Sequence, residues 1–136
     1  MSYDIYIGEY DDNEKCVQSL DLSEAPAFDG DEMTGHGNHR HPGYGQWTDW
    51  ARDVGLYPLF FDKTDGLMRE HPGNQSLSEK HLDVAQSALR KWKRQHKDVV
   101  PGWGYGQDAM LARLVWLEWW MVWALKNCKR PTIYNH

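Results

Sequence analysis

The sequence is short of cysteine and of positive charge, and each shortage excludes a class of protein. Its two cysteines, Cys16 and Cys128, lie far apart and form no C-x-x-C motif. The sequence does not decide whether they form a disulfide, and we expect two free thiols in a reducing cytoplasm. The net charge of -5 comes with no long basic run, which argues against a protein that follows nucleic-acid phosphates. The basic stretch at residues 90–94 includes Trp92, which falls on an apolar helix stripe, so we expect no nucleic-acid partner.

Long apolar runs and familiar catalytic motifs are also missing. The most apolar stretch, residues 109–125, is shorter than the roughly 20 residues that a membrane span needs, and it contains Arg113 and Glu118. The first residues lack both the basic and the apolar region of a signal peptide. No G-x-S-x-G, Walker or dinucleotide-binding motif is present. The sequence therefore predicts a cytoplasmic protein with no membrane span and no recognisable catalytic motif.

Aromatic residues are what the chain has in excess. Eight Trp, seven Tyr and three Phe occur among 136 residues. Large rings bury much apolar area per residue, so a chain of this length is able to build a stable core with few aliphatic side chains. We expect a single globular domain over residues 1–136.

The N-terminal segment predicts a β-hairpin. Ile5 and Ile7 alternate with Asp4 and Tyr6, which is the period of a strand with one buried and one outward face. An Asp-Asp-Asn turn follows, and the less regular stretch at residues 17–22 is the candidate return strand.

Helices are predicted from apolar spacing over three further segments. The first covers residues 47–54, the second begins at the S-x-x-E capping box of residues 76–79 and ends before Pro101, and the third covers residues 109–125. The proline-containing run LYPLFF instead indicates an edge strand or an irregular core segment. The fold class that follows is α+β, with the N-terminal β-hairpin packed on a helical layer and the Trp-rich C-terminal helix at its centre.

A long glycine- and histidine-rich loop, at about residues 23–45, contains the first candidate site. Neutral imidazole is a good ligand for transition metals, and catalytic zinc often has three protein ligands and one open position. His36, His39 and His41 are therefore the candidate metal ligands, and Asp29 or Asp31 could add a carboxylate. The alternative is that these histidines are solvated or hydrogen-bonded loop residues.

The second candidate site rests on a repeated tetrapeptide. Gly-Tyr-Gly-Gln occurs at residues 43–46 and again at 104–107, each time before a predicted helix, and helix N-termini favour anions. The candidate ligand-binding residues beside these segments are Tyr44, Trp47, Trp103, Tyr105 and Arg113. The rings would line one pocket for an anionic, nucleotide-like ligand, with the arginine as its cation. The alternatives are ordinary turn chemistry for the glycines and a structural salt bridge for the arginine.

Three segments carry a resemblance to a known group of proteins. YDIYIG at residues 3–8, HPGYGQW at residues 41–47 and WWMVWALKNCKRP at residues 119–131 resemble small uncharacterised proteins encoded by bacteriophages, particularly those of actinobacteria. The resemblance implies an accessory protein that acts in the cytoplasm of a bacterial host cell. It assigns no catalytic residue.

Together these observations predict a non-catalytic binding module. Its partner is expected to be a host protein or a small anionic ligand, and it needs no cofactor unless the histidine loop binds a transition metal. The alternative is a metal-dependent hydrolase built on His36, His39 and His41.

Overall fold

The described residues form a curled antiparallel sheet and four helices. The computed structural model describes residues 1–33 and 35–136, so Thr34, in the predicted loop, lies outside the described residues. The strands are β1 (Ile5–Asp11), β2 (Cys16–Val17), β3 (His39–Arg40), β4 (Gly73–Ser76) and β5 (Pro131–Asn135). The helices are α1 (Tyr44–Asp53), α2 (Tyr57–Phe61), α3 (Glu79–Gln95) and α4 (Ala109–Asn127). This is the predicted α+β class.

The sheet is organised around β1 and β5. Its strand order is β2-β1-β5-β4, and β3 pairs with the first residues of β1 on the same edge as β2. The predicted hairpin of β1 and β2 is present, although β2 is much shorter than residues 17–22. Ile5 and Ile7 are fully buried on the inner face, as the alternation predicts, while Tyr6 faces outward between His39 and Tyr134.

Helix α4 lies between the sheet and α3, which confirms its central position. Trp116 and Trp120 are fully buried, whereas Trp119 and Trp123 are half-buried on the side turned away from the core. Four tryptophans that cover most sides of a central helix predict at least three buried rings; the structure buries two. No helix in the described part of the chain is long and apolar enough to cross a membrane.

Three boundaries differ from the sequence prediction. LYPLFF forms the short helix α2, because Pro58 stands in its first turn, where a backbone N–H has no partner to lose. Helix α3 begins after Ser78 rather than Ser76, since Ser76 pairs with Thr132 in the sheet and keeps the chain extended. The same helix ends at Gln95, well before Pro101.

Two buried ion pairs hold the long loop in place, one against β3 and one against α4. Asp31 accepts a hydrogen bond from Nε of Arg40 at 2.9 Å, and Glu32 accepts from Nε of Arg113 at 2.8 Å. All four side chains are at least nine-tenths buried. Burial raises the pKa of both carboxyls above the ordinary range, although the facing arginines oppose the shift. The loop is therefore fastened to the sheet through Arg40 and to the helical layer through Arg113.

Candidate functional site

One end of the sheet gathers histidine, carboxylate and hydroxyl groups from distant parts of the chain. The start of β1, the segment after β3 and the end of β5 meet there, and Asp4 exchanges two backbone hydrogen bonds with His136. Four of the seven histidines lie at this end: His39, His41, His71 and His136. The antiparallel register of β1 with β3 and β5 produces this convergence.

Asp4 stands at the centre of the group. Its Oδ1 lies 2.6 Å from Nε2 of His39 and 2.8 Å from Nδ1 of His41. One ligand atom from each of the three residues lies within 4.8 Å of the other two. The set of two imidazoles and one carboxylate is a donor combination that transition metals favour. We call these three residues the Asp4 cluster.

The protonation of the Asp4 cluster follows from its hydrogen bonds. An ionised carboxylate only accepts, so each imidazole nitrogen that faces it carries a proton. Burial raises the pKa of Asp4, but hydrogen bonds from both histidines outweigh it, and the pKa is lowered overall. Burial lowers the pKa of His39, although Asp4 opposes that shift. The cluster therefore combines an ionised carboxylate with a His39 imidazole that favours its neutral, metal-binding form.

Neighbouring side chains orient both imidazoles. The His39 ring stacks on Tyr6 with ring centroids 4.1 Å apart and an angle of 5° between the planes. Nε2 of His41 is 2.9 Å from Oγ of Ser2. The His41 side chain is 48% exposed and that of His39 is 16% exposed, so the cluster is open to solvent on the His41 side. A ligand is able to approach from that side.

His36, the third predicted metal ligand, does not belong to the cluster. Its Nδ1 bonds to the carbonyl oxygen of Ala25. The closeness of the three histidines along the chain predicts a shared site. Only His39 and His41 share one face of the extended segment, being two residues apart, and Asp4, the residue before β1, supplies the third ligand atom. Asp29 and Asp31 are not in the cluster either; Asp31 is bonded to Arg40.

The residues of the predicted anion pocket do not line one concavity. Trp47 has no exposed surface, whereas Tyr105 is fully exposed. Arg113 lies 4.8 Å from the ring centroid of Trp103, so the structure brings these two predicted residues together. The Arg113 guanidinium is already bonded to Glu32 and is not free to bind an anion. The Tyr44 hydroxyl bonds to Nε2 of His71 at 3.0 Å.

The N–H of the first glycine in each repeated tetrapeptide is already occupied. The Gly43 N–H donates to Oε1 of Gln46 at 3.3 Å, and the Gly104 N–H donates to Oε1 of Gln107 at 2.8 Å. The glutamine of each repeat therefore takes the place that an anion was expected to fill. Ordinary turn chemistry, the alternative interpretation, explains the repeat.

Asp4 is the member of the site that sequence reasoning missed. The alternation at the N-terminus correctly puts Asp4 and Tyr6 on the outward face of the first strand. The pairing of the N-terminal strand with residues 39–41 could not be predicted, because β3 has only two residues and therefore no periodicity of its own. Ser2, which holds His41, was missed for the same reason.

Comparison with known proteins adds no family to this geometry. No protein-family model, curated protein or solved structure matches the chain.

Proposed function

We propose that the protein is a binding module that holds a divalent transition metal at Asp4, His39 and His41 and uses the metal to bind a small anionic ligand. The observation that carries the proposal is the meeting of one carboxylate oxygen and two imidazole nitrogens within 4.8 Å. With three protein ligands, a metal such as zinc keeps at least one open coordination position. A phosphate or carboxylate group would bind there.

The spacing of the cluster requires only a small adjustment. In a tetrahedral zinc site with bonds of about 2.0–2.1 Å, neighbouring ligand atoms lie roughly 3.3 Å apart. The two imidazole nitrogens now lie 2.6 and 2.8 Å from the Asp4 oxygen, as hydrogen-bond donors. Replacing their two protons by one metal ion would move these atoms apart by less than about 1 Å. His41 has the exposure to make that movement.

The expected metal content is about one equivalent per chain. Protein purified without a histidine tag would be stripped with a chelator and titrated calorimetrically with zinc, nickel and manganese. His39→Ala and His41→Ala should each abolish tight binding, because each removes one of three ligands. His36→Ala is the matched control and should bind as the unmodified chain does.

Two results would contradict this proposal. One is the absence of saturable binding for all three metals. The other is an equal loss of binding in His36→Ala, which would show that the histidine-rich segment binds metal without the Asp4 cluster. Cobalt(II) absorption adds a structural readout, since its intensity distinguishes tetrahedral from octahedral coordination.

Metal-dependent hydrolysis is the second candidate function, favoured by the exposed side of the cluster at His41. A metal ion with an open position lowers the pKa of a bound water to about 7 and produces a nucleophile. The two functions differ in turnover. The metal-loaded chain would hydrolyse p-nitrophenyl phosphate or acetate faster than free metal only if the site is catalytic.

The resemblance of the three sequence segments supports a cellular setting for this proposal. We propose that the protein acts as a phage-type accessory protein in the cytoplasm of a bacterial host, where a host protein is its second class of partner.

A further inference from the structure

Helix α4 has a partly exposed apolar face at the margin of the core. Val115, Trp119, Val122 and Trp123 follow one another at helical spacing on this face, and Val122 is 37% exposed. The rings of Trp119 and Trp123 both meet the buried ring of Trp120 edge-on, with centroids 5.0 and 5.4 Å away. The buried Trp120 therefore supports two indoles at the surface.

A groove of about 400 Å³ runs along these two indoles. Its lining includes Glu24, Glu118, Trp119, Val122, Trp123 and Lys126. Lys126 follows Glu118 by eight residues, about 12 Å along the helix axis. We call this feature the α4 groove; its carboxylate Glu118 stands near one end and its lysine near the other.

The α4 groove has carboxylates that no cation of the described chain pairs with. Neither Glu24 nor Glu118 forms a salt bridge with a described residue. Glu24 accepts only a hydrogen bond from Oγ of Ser23, at 3.2 Å. Two carboxylates and one lysine leave the groove with a net charge of -1 beside two indoles, and this charge together with the ring quadrupoles attracts a cation.

Elsewhere in the chain an arginine lies over two of the tryptophan rings. Arg113 lies over Trp103, and Arg40 lies 5.2 Å from the ring centroid of Trp116. Among the described residues, no arginine or lysine lies over Trp119 or Trp123. The two surface indoles therefore have the same chemistry as the covered ones but lack the cation.

We propose that the α4 groove binds an arginine-bearing segment of a partner protein, with the guanidinium against Trp119 or Trp123 and within reach of Glu118 or Glu24. Arginine fits better than lysine because its planar guanidinium stacks on a ring and bonds a carboxylate with two N–H groups at once. Trp and Arg are also the residues that contribute most to protein–protein binding energy. The net charge of -5 would steer a basic partner toward the chain. This surface lies on α4, away from the Asp4 cluster, and its test does not depend on the metal.

The indole N–H signals of the eight tryptophans provide the test. Trp119→Phe and Trp123→Phe assign two signals in a nitrogen-15 correlation spectrum and preserve the ring contacts with Trp120. The probe is N-acetyl-arginine N-methylamide, titrated to roughly 50 mM because one such contact has a Kd in the millimolar range. The neutral citrulline analogue is the matched control.

The expected result is a saturable shift of the Trp119 and Trp123 signals with the arginine probe. The citrulline probe should bind at least about fivefold more weakly, since it lacks the charge that cation–π and carboxylate contacts need. Glu118→Gln should weaken arginine binding about threefold or more, and Lys126→Ala should not weaken it.

Four results would overturn the inference. Equal shifts with arginine and citrulline would leave only an apolar contact, and shifts confined to other tryptophans would place the cation elsewhere. No shift at the highest probe concentration would show that the groove does not recognise the group. A dimer in sedimentation analysis that Trp123→Phe or Val122→Asp dissociates would assign the groove to a second copy of the chain.

Discussion

Two arginines are buried in the interior of this protein, and each forms an ion pair with a buried carboxylate. Arg113 and Glu32 are both more than nine-tenths buried and bonded to each other, and Arg40 and Asp31 form a second such pair. A buried ion pair is weak evidence of stabilisation, because desolvation offsets much of the attraction. Removing only one partner of the pair is different, because the other partner then remains as an isolated buried charge.

Replacing Arg113 alone should therefore destabilise the fold strongly. Arg113→Met leaves the Glu32 carboxylate without its partner and should lower the free energy of unfolding by about 3–5 kcal/mol in urea denaturation. The double variant Arg113→Met/Glu32→Leu should recover most of that loss. The exposed Asp49–Arg52 pair supplies the control, and Asp49→Asn should change stability by less than about 0.5 kcal/mol. A double variant as unstable as Arg113→Met would show that the pair contributes more than charge compensation.

At the scale of elements, some of the fold was readable from the sequence and some was not. The strand alternation around Ile5 and Ile7 and the apolar stretch of α4 repeat over many residues, so their patterns identified both elements. Strands β3 and β4 are short and polar, so they have no repeating pattern of their own, and their register is set by pairing with β1 and β5. The same limit applies to the candidate site. His39 and His41 were predicted from their residue type, but the place of Asp4 beside them depends on the pairing of Tyr6 with His39.

Helix α4 predicts a contrast between neighbouring tryptophans. Trp120 is fully buried, so Trp120→Ala should cost about 3–5 kcal/mol of unfolding free energy, whereas the half-buried Trp119 should cost about 1–2 kcal/mol when replaced by Ala. The Trp120 Nε1 has no hydrogen-bond partner in the described chain, so Trp120→Phe should be much milder than Trp120→Ala. Chemical denaturation followed by circular dichroism measures all three. Equal losses for the two alanine variants would contradict the assignment of the outward face.

The molecule as a whole depends on its last strand. β5 pairs with β1 on one side and β4 on the other, so it joins the two halves of the sheet. It contributes Ile133 and Asn135, both about 1% exposed, and Asn135 also bonds to His71 and to the carbonyl oxygen of Glu70. Without β5, the backbone edges of β1 and β4 that pair with it would be unpaired.

A chain that ends at Arg130 should consequently fail to fold. It should show no cooperative unfolding transition and should aggregate, since β1 and β4 would expose unpaired backbone groups next to apolar side chains. His136→Ala is the matched control, because it removes one ring from the C-terminal segment and keeps every residue of β5. A cooperative transition in the shortened chain, with a midpoint close to that of the control, would contradict the role given to β5.

The pairing of β1 with β5 also determines when the protein is able to fold during its synthesis. Residues of β1 pair with residues more than 120 positions later in the chain, as Ile5 does with Asn135. At about 5–20 residues per second, the ribosome needs roughly 7–27 s to produce that partner. The native sheet forms only after Pro131–Asn135 has been made, so β1 has no main neighbour until that segment is synthesised. Such long-range closure makes folding slow and leaves a nascent chain that chaperones are well placed to bind.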